Sequence, residues 1–196
     1  MLYKKYIKRI LDLIFSLIFL IILIPILLIE SILIILIDRN KIIFKQLRTG
    51  KDGKDFYIYK FSTYKNGNVT KLGKILRMTS IDEFPQLINI IKGDMSFIGP
   101  RPWVSEIFCN MNEEQRKVVS VLPGLTGLAQ INGRKKLSIF DKINYDLEYI
   151  DNLSFLLDLK IILKTFKIII CKEDTKNVEN NVEKEINDLK KNNNVL

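Results

Sequence analysis

The sequence predicts a helix-dominated α+β fold that is monotopic, meaning that it enters one membrane leaflet and returns. Three observations lead to this prediction: an almost wholly apolar stretch at residues 10–37, two short β-type segments around turn residues, and helical spacing of apolar residues in most of the remainder. We expect residues 1–38 to form a re-entrant membrane helix hairpin and residues 39–172 a small cytoplasmic catalytic domain with a short β-hairpin and interfacial amphipathic helices. Residues 173–196 should form a polar tail that is disordered or weakly helical. The 196 residues leave room for one domain with its own core.

The apolar stretch at residues 10–37 is interrupted only by Asp12, Ser16, Pro25, Glu30 and Ser31. It is too long for a secretory signal and lacks a small-residue cleavage site. A straight transmembrane helix is the usual structure for such a run. Pro25, however, divides it into halves of roughly 20 Å each, which are shorter than a hydrocarbon core of about 30 Å. The sequence therefore favours a helix that is kinked at Pro25 and returns to the side it came from.

Basic residues flank the apolar stretch on both sides. They are Lys4, Lys5, Lys8 and Arg9 before it, and Arg39, Lys41, Lys45 and Arg48 after it. Positively charged flanks stay on the cytoplasmic side of a membrane. We therefore expect both ends of the hairpin, and the domain that follows, on the cytoplasmic face.

The short β-hairpin is predicted at residues 42–50 and 55–61. Both segments are rich in apolar and aromatic residues, and between them lie the turn residues Asp52 and Gly53. A turn of this composition between two such segments is typical of paired antiparallel strands.

The composition excludes several kinds of chemistry. The chain has no histidine, which rules out a serine–histidine or cysteine–histidine nucleophile and any histidine-ligated metal. Its two cysteines, Cys109 and Cys171, are too far apart in the sequence for a metal-binding pair. The formal charge of +9 favours an anionic partner. Because the basic residues gather beside apolar segments and no nucleic-acid recognition motif is present, we expect membrane phospholipids as partners and no nucleic acid.

An acidic pair, Asp82 and Glu83, is the first candidate for chemistry. Ser80 and Glu83 have the spacing of a capping box, which would make the acids structural. With Ser80 as the cap, the ring of Pro85 would clash with the carbonyl of Ile81. With Asp82 as the cap, Pro85 falls in the first turn, and the acidic pair flanks a helix N-terminus, where phosphate is stabilised.

Two arginines near the acidic pair suit phosphate oxygens. Arg77 lies just upstream, and Arg101 stands between Pro100 and Pro102, which restrict the backbone. A rigid guanidinium fork binds phosphate through paired hydrogen bonds. Taken alone, residues 99–102 also fit an ordinary linker with a solvated arginine, and only the nearby acids make that alternative weaker.

Two later segments each leave two interpretations open. The glycine-rich segment 123–134 is either part of a binding site or a simple cluster of turns. Residues 153–171 fit either an amphipathic helix in the membrane interface or a core helix, with three lysines on one helical stripe. Those lysines are Lys160, Lys164 and Lys167. The tail after residue 172 has few apolar residues, and we expect removal of residues 176–196 to leave activity nearly intact.

Three blocks of this sequence are similar to the signature blocks of the bacterial sugar transferases. These are the monotopic phosphoglycosyl transferases that start glycan assembly on a polyprenyl phosphate. The blocks cover residues 79–86, 92–102 and 123–134. The similarity runs from about Tyr3 to Lys172, and the length and order of the blocks make it specific.

The resemblance implies transfer of a sugar 1-phosphate from a UDP-sugar to undecaprenyl phosphate, with release of UMP, at the cytoplasmic face of a bacterial inner (plasma) membrane. It implies that Asp82 attacks the β-phosphorus and carries a covalent phosphosugar, and that Glu83 assists metal binding or the second attack. Mg²⁺ is the implied cofactor, with Asp82 and Glu83 as its ligands. The residues expected to bind substrate or its phosphates are Lys60, Arg77, Arg101, Gln130 and Arg134.

Several positions depart from the family pattern. Ile24 stands where a serine commonly precedes the proline, Leu122 where an arginine is usual, and Leu128 where a tryptophan is usual. Ser62 and Tyr64 replace a basic residue and a methionine. These departures bear on the kink, on the anion contacts and on the choice of substrate.

A membrane-anchored adaptor without enzymatic activity is the other class of function. Its basic face would bind anionic lipid, and its acidic pair would only cap a helix. This alternative accounts for the charge and the hairpin but not for the combination of the three blocks. The sequence also leaves open which UDP-sugar is used and whether the chain forms a homo-oligomer.

Overall fold

The computed structural model of the chain describes residues 2–133, 136–171 and 182–193. Within them the fold is helix-dominated with small two-stranded sheets, as the sequence predicts. The helices are α1 (Tyr3–Asp38), α2 (Lys71–Thr79), α3 (Leu87–Lys92), α4 (Ser105–Cys109), α5 (Glu113–Arg116), α6 (Leu128–Ile131), α7 (Ile139–Asp151), α8 (Phe155–Cys171) and α9 (Val182–Asn193). The strands are β1 (Ile43–Thr49), β2 (Asp55–Phe61), β3 (Tyr64–Lys65), β4 (Asn68–Val69), β5 (Ser96–Ile98) and β6 (Gly124–Thr126).

The predicted β-hairpin is confirmed. Strands β1 and β2 pair antiparallel, with Ile43 opposite Phe61 at one end and Thr49 opposite Asp55 at the other. A second, very short antiparallel pair joins β3 to β4, and β5 pairs with β6 in parallel. The parallel pair brings the chain before Gly99 next to the glycine-rich segment, although about 25 residues separate the two in the sequence.

Helix α1 is long and apolar enough to cross a membrane, and most of its side chains are exposed. Ile21, Ile22 and Leu28 are each at least 60% exposed. A core helix of a soluble protein would bury such residues, so this face needs an apolar environment. The helix continues through Pro25. The hairpin arrangement of residues 1–38 stays a prediction.

Both ends of α1 contact the rest of the body. Near its start, Nη1 and Nη2 of Arg9 donate to the carbonyls of Ile90 and Ile91, at 2.7 and 3.1 Å, and so cap the end of α3. At its end, Oδ2 of Asp38 accepts a hydrogen bond from Thr70 at 2.6 Å. The apolar helix is therefore held to the domain at both extremities.

The acidic pair lies in a 3₁₀ turn, Ile81–Gln86, that joins α2 to α3. The expectation that Asp82 caps an α-helix is wrong, because the α-helix begins only at Leu87 and Asp82 lies inside the turn. Ser80 before the turn has a left-handed backbone (φ 59°) and makes no side-chain cap. The tighter turn accommodates Pro85, which has no N–H to donate. Neither proposed cap forms, so the Asp82 carboxylate stays available for chemistry.

Helix α8 combines the two interpretations that the sequence left open. One side is buried in the core, including Ile161 and Ile168. The opposite side exposes large apolar residues, with Leu156 at 75% and Leu163 at 63%. The exposed side carries the three lysines as well, so α8 is at once a core helix and an exposed amphipathic one.

Of the two alternatives for the tail, disordered or weakly helical, residues 182–193 follow the second and form helix α9. Its few apolar residues fall at helical spacing and face the body, and Leu189 is fully buried. The residues are Val182, Ile186 and Leu189. Residues 172–181 and 194–196 of that tail lie outside the described residues.

Candidate active site

Asp82 is a buried carboxylate without a hydrogen-bond donor among the described residues. It is 8% exposed. Burial and the charge of neighbouring Glu83 raise the pKa of Asp82 to about 6, and three nearby cations oppose the shift. These cations are Lys60, Arg77 and Arg101. At neutral pH the carboxylate is therefore ionised, and no described side chain donates a hydrogen bond to its oxygens.

Glu83 lies in opposite surroundings. Its Oε1 accepts hydrogen bonds from Nζ of Lys60 at 2.7 Å and from Nη2 of Arg101 at 3.4 Å. Burial raises the pKa of Glu83, but the two cations outweigh it and hold the pKa well below its usual range. Glu83 is thus a fixed anion that gathers two positive charges, and it cannot carry a proton at neutral pH.

Lys60 reaches Glu83 because α3 holds strand β2 beside the 3₁₀ turn. Asn89 of α3 is fully buried, and its Nδ2 donates to the carbonyl of Tyr57 at 2.8 Å. Its Oδ1 accepts from the N–H of Tyr59 at 3.1 Å. The side-chain amide of Asn89 thus forms the two backbone hydrogen bonds that a neighbouring strand would make with β2. These bonds fix the position of Lys60.

Arg101 follows a place where two backbones come very close. The N–H of Gly99 donates to the carbonyl of Thr126 at 2.9 Å, and the N–H of Gly124 donates to the carbonyl of Pro100 at 2.7 Å. A Cβ at Gly124 would lie 2.1 Å from the nitrogen of Gly99, so glycine is required. The glycine-rich segment thereby supports the strand end that presents Arg101.

Arg48 belongs to this site, although the sequence analysis used it only as a flanking charge. Its Nη1 donates to the carbonyl of Pro102 at 3.2 Å, and its Nη2 donates to Gln46 at 2.7 Å. Its Nε is buried and unpaired among the described residues. Burial and neighbouring Arg101 lower the pKa of Arg48 to about 10. Its position next to Gln46 on a strand was a weak signal, since burial depends on the distant segment that contains Pro102.

Arg77 is held by a residue that departs from the family pattern. Its Nη1 donates to the hydroxyl of Tyr64 at 3.0 Å, and the guanidinium lies 4.7 Å from the centre of the Tyr64 ring. From the end of α2 it acts on Asp82 by its charge, without a hydrogen bond. Tyr64 therefore supplies a partner for Arg77 that methionine at this position could not.

Asp146 of α7 is a second buried carboxylate that sequence reasoning missed. It is 1% exposed and lies close to Trp103 and the backbone of Arg101. Burial raises the pKa of Asp146 well above its ordinary value, and these neighbours oppose the shift. Asp146 lies in an ordinary helical pattern, so the sequence does not indicate that this carboxylate is buried beside Trp103 and Arg101.

Of the two remaining predicted binding residues, Gln130 makes no hydrogen bond to the acidic pair. Gln130 of α6 is 8% exposed, and neither end of its side chain has a hydrogen-bond partner among the described residues. It lies against Gly127, behind the strand end that leads to Arg101. Arg134 lies outside the described residues.

The donor set fits a magnesium ion that is completed by a substrate. No cluster of three or more acidic or cysteine side chains suited to a metal occurs within residues 2–133, 136–171 and 182–193. Mg²⁺ is commonly held by one or two carboxylates together with substrate phosphates and water. The unoccupied oxygens of Asp82 provide one such carboxylate, and Glu83 is the second within reach.

The site as a whole carries more positive than negative charge. Four cations surround two carboxylates, and the surplus suits a ligand with several negative charges, such as a pyrophosphate. The cations are Arg48, Lys60, Arg77 and Arg101.

Comparison with known proteins shows which family the chain resembles. Residues 3–172 match the family model described as Bacterial sugar transferase. The chain is 42% identical over 146 residues to Uncharacterized sugar transferase EpsL of Bacillus subtilis, a match that covers 68% of this chain and 72% of the relative.

Two further relatives have names that state substrates. The chain is 40% identical over 192 residues to UDP-glucose:undecaprenyl-phosphate glucose-1-phosphate transferase of Klebsiella pneumoniae, covering 84% of this chain and 40% of the relative. It is 35% identical over 187 residues to UDP-N-acetylgalactosamine-undecaprenyl-phosphate N-acetylgalactosaminephosphotransferase of Aeromonas hydrophila, covering 84% and 44%. The chain thus spans less than half the length of both relatives.

Proposed function

Because the chain belongs to the bacterial sugar transferase family, we propose that it transfers a sugar 1-phosphate from a UDP-sugar to undecaprenyl phosphate and releases UMP. This reaction is the first membrane step in building a bacterial glycan. The names of the relatives support both substrate classes. The observation that carries the reaction type is the buried, unpaired carboxylate of Asp82 beside three cations, Lys60, Arg77 and Arg101.

Asp82 is the nucleophile of this reaction. One of its oxygens attacks the β-phosphorus of the UDP-sugar, an Asp82–phosphorus bond forms, and the bond between the β-phosphorus and the bridging oxygen breaks, so that UMP leaves. An oxygen of undecaprenyl phosphate then attacks the same phosphorus and displaces the Asp82 carboxylate. A carboxylate with a pKa of about 6 is ionised at neutral pH, so the first attack needs no general base.

Glu83 serves by holding cations in place. Its pKa lies well below the usual range, which makes it a poor proton carrier for the second step. Through Lys60 and Arg101 it fixes two positive charges close to Asp82, where negative charge builds up on the phosphoryl oxygens and on the departing UMP. Arg48 and Arg77 add to the same field. Bound Mg²⁺, held by Asp82 and Glu83, would neutralise the pyrophosphate.

The domain attaches to the membrane through α1 and α8. Both helices expose broad apolar faces, and the exposed face of α8 carries lysines suited to anionic headgroups. The contacts of Arg9 and Asp38 with the same body support a re-entrant α1 whose two ends lie on the cytoplasmic side of the bacterial inner membrane. An acceptor whose phosphate lies at that surface can then reach Asp82.

Metal-dependent release of UMP tests the proposed function. The purified full-length chain in detergent, given undecaprenyl phosphate and a panel of UDP-sugars, should release UMP with at least one donor, and EDTA should abolish the release. Asp82→Asn should reduce the rate by about 10³-fold or more. The exposed Asp151→Asn is the matched control and should keep the full rate.

The outcome that contradicts the proposal is a folded protein that binds anionic vesicles but releases no UMP from any donor. That result would support the lipid-binding adaptor instead.

A further inference from the structure

Helix α9 packs against α4 and α7 and shares their apolar cluster with Trp103, which follows the segment that carries Arg101. It lies beyond residues 3–172, which match the family model. Its Leu189 is 0% exposed and belongs to one apolar cluster with Trp103 and Ile107. Trp103 follows Arg101 by only two residues, so α9 forms part of the support of the active-site segment.

Helix α9 also contributes a carboxylate to this support. Oε1 of Glu185 accepts a hydrogen bond from Nζ of Lys142 on α7 at 2.5 Å, and the two side chains are only 15% and 16% exposed. An ion pair with so little exposure is costly to break from one side, because the other charge is left without a partner. The charge of Glu185 also reaches Arg48, where it opposes the lowering of the pKa by burial and by Arg101.

Arg48 connects this carboxylate to the active-site segment. Its guanidinium donates to the carbonyl of Pro102, and the N–H of the next strand residue, Thr49, donates to the carbonyl of Trp103 at 2.9 Å. Strand β1 therefore holds the chain immediately after Arg101 at two successive carbonyls. Helix α9 is therefore linked to both parts of this arrangement: Leu189 shares an apolar cluster with Trp103, and the charge of Glu185 lies close enough to act on Arg48.

We propose that α9 is a positioning element of the active site, in which Leu189 and Glu185 set the segment 100–103 and Arg48 so that two guanidinium groups meet the pyrophosphate of the donor. The inference rests on the proposed function and adds to it a part of the chain outside the matched region. Glu185 and Leu189 are positioning residues, since they act through Arg48 and Trp103. The earlier expectation that the tail is dispensable is replaced by this proposal.

A chain that ends at residue 181 tests the role of the helix. Trp103 is the only tryptophan of the chain and is 7% exposed, so its fluorescence reports on docking of α9. The shortened chain should show red-shifted Trp103 emission and a KM for the UDP-sugar raised about tenfold, with the KM for undecaprenyl phosphate unchanged. A synthetic peptide of residues 182–193 should restore both.

Two charge variants separate positioning from mere packing. Glu185→Gln keeps the shape of the helix and Leu189, so it should leave the Trp103 emission in place while raising the KM for the UDP-sugar about threefold; Glu185→Asp should recover part of the loss. Glu183→Gln, at an exposed site on the same helix, is the matched control and should change neither quantity.

Three results would overturn the inference. Unchanged Trp103 emission in the shortened chain would mean that α9 does not dock on this segment. A shifted emission with an unchanged KM for the donor in both the shortened chain and Glu185→Gln would reduce α9 to a stabilising helix. No UMP release by the full-length chain would remove the proposed function and this inference with it, whereas a fully active parent with unaffected variants removes the inference alone.

Discussion

Asp82 and Glu83 are neighbours in the 3₁₀ turn, but they differ in their hydrogen-bond partners and in the charges around them. Asp82 receives no hydrogen bond from the described residues, and its pKa is raised to about 6. Glu83 receives two charge-assisted hydrogen bonds, and its pKa is far below its usual range. Adjacent residues with the same functional group thus obtain different chemistry from their surroundings alone. One is left as an unpaired anion, and the other anchors the cations around it.

The largest expected effect is on stability, because only the Asp82 side carries a buried charge without a partner. A folded-state pKa of about 6 against an ordinary 3.8 means that stability from this group is present below pH 3.8 and is lost as the pH rises to 6. Asp82→Asn should therefore stabilise the metal-free protein at pH 7.5 by up to about 3 kcal/mol, measured by urea unfolding.

The gain should shrink as the pH falls from 6 towards 4, because Asp82 then becomes protonated in the folded state, and it should vanish only well below pH 3.8, where Asp82 is protonated in both states. Asp151→Asn should show no gain at any pH. A destabilised Asp82→Asn protein at pH 7.5 would contradict the unpaired state of this carboxylate.

Removing a cation from the Glu83 side should lower activity by a smaller amount. Lys60→Met takes away the nearer partner of Glu83 and one positive charge from the site, so we expect kcat/KM for UMP release to fall by about 10- to 100-fold. The exposed Lys54→Met on the same hairpin is the control. Equal activity of the two variants would mean that the Lys60–Glu83 pair is not part of the catalytic site.

The pH dependence should show how the two sides influence each other. The rate of UMP release in the donor half-reaction should rise as the pH increases through about 6, where Asp82 loses its proton, and level off above it. Glu83→Gln removes a charge that raises the pKa of Asp82, so the acid limb should move to lower pH by up to about one unit. Lys60→Met should move it in the opposite direction. Shifts of the reverse sign would refute the assignment of the limb to Asp82.

The smallest expected effect concerns Arg77, which is outside the Glu83 network. Tyr64→Phe keeps the ring beneath the guanidinium but removes the hydroxyl that accepts its hydrogen bond. We expect the KM for the UDP-sugar to rise by about two- to fivefold, in line with one lost hydrogen bond. The exposed Tyr57→Phe is the control, and a loss as large as that of Lys60→Met would show that Tyr64 itself contacts substrate.

The sequence indicated the acidic pair more clearly than the contacts that support it. Asp82, Glu83 and Arg101 stand out because acids, prolines and arginines cluster within about twenty residues. Lys60 could be placed in the predicted hairpin, but its pairing with Glu83 depends on Asn89 joining α3 to β2. Such a contact between distant segments leaves no periodic signal in the sequence.

Composition predicts the surroundings of helix α1 correctly but not those of helix α9. The apolar stretch of α1 is exposed, and its composition alone predicts the environment it needs. Helix α9 buries just a few apolar residues in a polar sequence, and low average hydropathy concealed their spacing. The Asp82 cap was a wrong prediction because the rule for α-helix starts does not apply to a 3₁₀ turn.

The most direct test of the account is the mass of the protein after it meets the donor alone. Incubated with its UDP-sugar and Mg²⁺ but no undecaprenyl phosphate, the chain should gain one sugar-phosphate mass on the peptide that contains Asp82 and release a burst of UMP. Asp82→Asn should show neither, whereas Glu83→Gln should still accumulate the adduct slowly. Protein that is active with both substrates, yet carries no adduct and releases no UMP until the acceptor is added, would contradict the covalent role of Asp82.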